Sequence, residues 1–97
     1  MDAEERLLEN GYEDVKILKD FSYDTALIGV THDDRTVYDF DKMVEWLMET
    51  QGYSHEEAIE WIEYNTIRAL PYMGPDSPVV LYPLKDWVML YKRKFYL

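Results

Sequence analysis

Ninety-seven residues with 47% apolar and 15% aromatic side chains suffice for one modest core in a single domain, 1–97. Twenty acidic residues against ten basic give a net charge of −10, which repels nucleic acid and anionic membrane and attracts basic surfaces. The lack of cysteine excludes disulfides and thiolate sites, and no run suits a secretory signal or a bilayer span, so a cytoplasmic location is expected.

In chain order, Ala3 to Asn10 reads as a short helix with Leu7 and Leu8 on its apolar edge and Gly11 at a left-handed cap position. Tyr12 to Phe21 is expected to be a strand, with Val15, Ile17 and Phe21 inward and Lys16, Lys19 and Asp20 outward. Thr25 to Thr31 is rich in β-formers, His32 to Arg35 is a polar turn, and Thr36 to Phe40 returns; together they read as a hairpin.

The period then changes to 3.6. Asp39 or Asp41 caps a helix whose inner stripe is Phe40, Met43, Val44 and Leu47, and which ends at Gly52. Ser54 and Glu57 form a capping box for a second helix. Its buried face is Ala58, Ile59, Ile62, Thr66, Ala69 and Leu70, and Pro71 stops it. The short connection makes the two helices packed neighbours. Residues 73–78 are a turn-rich loop and Val79 to Tyr82 a strand, while 86–97 reads as a final strand with Trp87, Met89, Tyr91 and Phe95 on one side, a helix being the alternative. The class is α+β: a small antiparallel sheet, made of the hairpin plus a C-terminal strand or strands, with a packed helix pair on one face.

The runs YDTALIGV, VYDFDKMVEWL, EEAIEWIEYNTIRALPYMG and PVVLYPL resemble a group of small uncharacterised proteins of Firmicutes and their phages and mobile elements. The likeness covers Tyr12 to Leu84, and YNTIRALPYMG is its most specific part. It implies a single domain in a bacterial or phage setting and no activity, cofactor or catalytic residue.

No motif fixes a chemistry. His32 and His55 stand in no spacing with a nucleophile, Ser22, Ser54 and Ser77 have turn or capping roles, and the four glycines are scattered singly. A non-enzymatic protein without cofactor is expected. His32, Asp33 and Asp34 cluster in one turn with Asp39 and Asp41 after the strand, and such carboxylates could hold Ca²⁺ or Mg²⁺, but acids in turns also serve the local backbone. A small metal protein or enzyme is therefore the last of three readings.

The carboxylate rows are more informative. Asp41, Glu45 and Glu49 recur at i, i+4, i+8 on the first long helix, and Glu56, Glu60 and Glu63 on the second. Neighbours in such a row are about 6 Å apart, close to the roughly 7 Å between phosphates that base-step rise and twist produce. Lys42 and Arg68 are the cations placed to relieve them. The leading expectation, which requires both rows to face the same way, is a small binding or inhibitor protein that meets a basic, nucleic-acid-handling protein as a nucleic-acid mimic. Its size and acidity match those of anti-CRISPR or antirestriction proteins. The alternative is a structural or homodimerising module whose acidity only gives solubility. Neither reading puts nucleic acid or membrane on the acidic face.

Trp46 and Trp61 fall at the shoulders of their helices, where they pack sideways or anchor a partner. The basic, aromatic stretch 85–97 carries Lys85, Lys92, Arg93 and Lys94 and would contact an acidic face or extend the sheet. Asn65, Thr66, Arg68, Pro71 and Gly74 read as a fold-fixing junction. Asn65 is expected to tie a neighbouring loop or strand, and Arg68 to stack on Tyr64 and Trp61 and neutralise Glu60 or Glu63.

Overall fold

The computed structural model describes residues 1–85, so the expected strand and basic stretch of 86–97 lie outside the described residues. Helix α1 (Ala3–Glu9) is capped by the Asp2 carboxylate, which accepts from the Glu5 amide. Gly11 follows at φ 87, as its cap position requires. A second anchor is tertiary. Asp24 accepts the Ala3 amide at 2.9 Å through its side chain and the Arg6 guanidinium at 2.7 Å through its carbonyl.

Asp24–Ala26 is a single 3-10 turn leading into β1 (Leu27–Val30), so the strand starts two residues later than β-propensity suggests. β1 pairs antiparallel with β2 (Thr36–Asp39), and a bulge between Leu27 and Gly29 leaves Ile28 exposed. β2 runs straight into α2 (Phe40–Gln51). Asp39 ends the strand and caps the helix by accepting the Lys42 amide. Phe40, Met43, Val44 and Leu47 are all buried, and Gly52 closes the helix at φ 70.

Ser54 and Glu57 form both bonds of the capping box at the start of α3 (His55–Trp61). The helix then widens into a π-helical turn, Ile62–Ile67, and after Arg68 and Ala69 ends in a 3-10 turn, Leu70–Met73. α2 packs on β2, on the Asp24–Ala26 turn and on α3. The α+β class and the helix pair beside a small sheet are therefore as expected.

The third strand differs in direction. β3 (Val79–Leu81) pairs parallel to β2, Val37 opposite Val79 and Asp39 opposite Leu81, so the sheet is mixed with order β1-β2-β3. A helix pair on its own would return the chain near the end where β2 stops, which favours an antiparallel partner. Side-chain anchors carry the chain back instead. Arg35, just before β2, donates from Nε to the Ser77 carbonyl at 2.8 Å. Lys16 holds the Met73 carbonyl and pairs with Asp76 at 2.6 Å. The loop is thus fixed beside the beginning of β2, and a strand starting there runs parallel to it. Beyond β3, Tyr82 stacks on Phe40 with ring centroids 4.5 Å apart, and Lys85 pairs with Asp41.

Tyr12 to Phe21 is not a strand. It is irregular chain whose burial does not alternate: Leu18 is buried while Val15, Lys16 and Ile17 are all half-buried. Side chains of β2 bond two of this segment's backbone groups in place of a ladder. Thr36 Oγ1 donates to the Lys16 carbonyl at 2.7 Å, and the Leu18 amide donates to Tyr38 Oη at 3.2 Å. Lys16, expected outward, turns in to serve the 73–76 loop.

Tyr23 and Tyr38 lie wholly inside the core. Burial raises both phenol pKa values above the ordinary one, against the opposing hydrogen bond from Thr66 on Tyr23 and the Leu18 amide on Tyr38. The folded protein therefore keeps these protons where the unfolded chain releases them. The stability these two tyrosines contribute should be constant up to pH about 10, the ordinary tyrosine value, and fall as pH rises further. Thermal melts across alkaline pH check this: Tyr23→Phe or Tyr38→Phe should flatten the decline, and a melting temperature independent of pH would refute it.

Candidate functional site

α3 offers the most developed surface, and its inner face explains the outer one. Ala58, Ile62 and Thr66 are buried, with Ile59, Ile67 and Leu70 packed half-buried against the same core. A regular helix would place Ala69 inside as well. The π turn fits an additional residue into one turn, so beyond it Ile67 and Leu70 reach the core and Ala69 is exposed. Glu63, Tyr64 and Asn65 become consecutive exposed residues.

This corrects the role expected of Asn65. Its side chain is exposed and donates back to the Trp61 carbonyl at 3.1 Å, one turn earlier, and ties no neighbouring loop among the described residues. Thr66 does point inward, where its hydroxyl lies 3.5 Å from that of Tyr23. Arg68 sits over the Tyr64 ring, 4.2 Å from its centroid. It makes no ion pair with Glu60 or Glu63 among the described residues. Pro71 falls inside the 3-10 turn that ends the helix. Gly74 has φ 94, and a Cβ there would come within 3.3 Å of Lys16 Nζ and 3.4 Å of Asp76 Oδ1. The junction thus fixes the loop through Gly74 and Lys16 and the helix through Thr66.

The aromatic side chains divide in two. Trp46 and Trp61 pack sideways, joined by Phe21, whose ring lies 4.8 Å from Trp61 and 5.8 Å from Trp46. Tyr23 and Tyr53 complete that cluster at 6.0 and 6.5 Å from Phe21. Sequence spacing could not show this hub, because Phe21 is remote from both helices along the chain. Tyr64 and Tyr72 by contrast are 68% and 92% exposed.

The carboxylate rows stand on the outside. Glu45, Glu49, Glu56, Glu60 and Glu63 are exposed, and Asp41 is half-buried and paired with Lys85. Along α3 the acids border an open groove of about 630 Å³ walled by Tyr53, Trp61 and Tyr64 and rimmed by Glu57, Glu60 and Glu63. Periodicity identifies the acids. The groove's lining joins Tyr53 to α3 and to Glu63, Tyr64 and Asn65 of the π turn, a combination that could not be read from spacing.

The hairpin turn is locally satisfied. Thr31 Oγ1 donates to the Asp33 carboxylate, which lies below the usual carboxylate range chiefly because of that bond, and Asp34 adopts φ 62. No group of three or more His, Asp or Glu among the described residues is arranged to hold a metal ion. No helix among them is long and apolar enough to cross a membrane. Comparison with family models, curated proteins and solved structures finds no match.

Proposed function

We propose that this protein acts by binding, and that the outer carboxylates of α2 and α3 engage a basic surface of a nucleic-acid-handling protein. One observation carries the reading. Glu45, Glu49, Glu56, Glu60 and Glu63 are all exposed on α2, on α3 and on the π turn that continues α3, with Lys42 on α2 and Arg68 just after the π turn as the nearby lysine and arginine of these segments. Like charges at i, i+4 cost a few tenths of a kcal/mol per pair on a helix. Stability alone would favour interspersed lysine, whereas a partner lined with arginine and lysine gains from the row. The spacing suits contacts that otherwise receive phosphates, as in an inhibitor that occupies a nucleic-acid groove.

The test is competition. A basic nucleic-acid-binding protein of a bacterial host, captured by this chain at low salt, should release it when duplex DNA is added. Its affinity should fall about tenfold or more between roughly 50 and 200 mM salt. Binding indifferent to both salt and DNA would refute the mimic.

A further inference from the structure

We propose that the groove on α3 is a receptor for an arginine side chain of that basic partner. The inference rests on the acidic-surface reading and makes it specific, because it moves the centre of recognition from diffuse charge to one slot. Three aromatic rings, Tyr53, Trp61 and Tyr64, wall the groove, and Glu57, Glu60 and Glu63 rim it. A planar guanidinium can lie on such rings while its fork of N–H groups meets carboxylates at the edge, a combination that ammonium satisfies less well. Arg68 lies 4.2 Å over the Tyr64 ring without lining the groove, so this ring takes a guanidinium on a face, and an incoming arginine has the other face to use. Trp61 is held from behind by Phe21, so that wall is rigid before any partner arrives. The Asp41 end of the α2 row is already engaged by Lys85, which leaves α3 the stronger attractor. The occupant is therefore an arginine-bearing segment of a protein.

The probe is a dodecapeptide of alternating arginine and serine, with the lysine–serine peptide as comparison, titrated into the full chain at low salt. The Trp61 indole and Asn65 amide resonances should move, and the arginine peptide should bind about fivefold tighter than the lysine one. Tyr64→Leu changes no charge at an exposed position, so the fold persists, and it should weaken arginine binding about fivefold to tenfold. Equal affinity for both peptides, or an unaltered Tyr64→Leu, would overturn the slot. If the slot fails while Glu-to-Gln changes on both helices still abolish binding, the acidic surface stands alone. If those changes also have no effect, both readings fall.

Discussion

Changing Glu45, Glu49, Glu56 and Glu60 together to glutamine should abolish binding to the basic partner and leave the fold intact. All four side chains are exposed. Each removes a charge and keeps an amide of similar shape, so packing is preserved. If every carboxylate contributes about 1 kcal/mol against a basic surface, the sum is about 4 kcal/mol, or roughly a thousandfold in affinity. Stability should barely move. Relief of repulsion along the rows contributes a few tenths of a kcal/mol. The loss of Glu56 from the first turn of α3, where the helix dipole favours negative charge, offsets it by a similar amount. Calorimetric titration for affinity and thermal melting for the fold read the two effects separately. Tight binding that survives the fourfold change would eliminate the mimic, and so would a collapse of the melting temperature with no separate effect on affinity.

Phe21→Ala should cost about 3 kcal/mol, at the lower end for phenylalanine truncation because the ring is only half-buried. Few of its neighbours can fill the gap. Phe21 separates Trp46 on α2 from Trp61 on α3 and touches Tyr23 and Tyr53 as well, so its removal opens a void between rigid rings. In a domain of this size that loss lowers the melting temperature by about 15 °C. Trp fluorescence should shift toward the exposed value, and Phe21→Leu should recover part of the loss. A cost under about 1 kcal/mol would mean that Trp46 and Trp61 close on each other without the hub. The change also loosens the Trp61 wall of the groove, so it should weaken binding of the arginine peptide more than its effect on the folded population explains.

Much of the helix pair was legible in the sequence because local forces fix it. A side-chain cap, a 3.6-period apolar stripe and a terminal glycine each act within one turn; the stripe and Gly52 stand where the residues place them, and of the two candidate caps, Asp39 and Asp41, the structure uses Asp39. The same holds for the Ser54–Glu57 box and for the hairpin around Asp34. The outward direction of Glu45, Glu49, Glu56, Glu60 and Glu63 follows from the same periodicity.

What the sequence could not decide depends on contacts between residues far apart in the chain. Tyr12 to Phe21 has the composition of a strand, yet it forms no ladder, and Thr36 and Tyr38 anchor its Lys16 carbonyl and Leu18 amide from 20 residues away. The direction of β3 depends on Arg35 and Lys16 gripping a loop 42 and 57 residues further on. The register beyond Ile62 shifts because the π turn seats both Thr66 and Ile67 against the core, which turns Ala69 and Asn65 outward. The sequence by itself therefore determined which residues form helices and which acids face water, since caps and periodicity work over three or four residues. Only the tertiary structure decided the direction of the third strand and the aromatic groove beside the acids. Both arise from side chains that meet across the fold, and their meeting leaves no periodic trace in the chain.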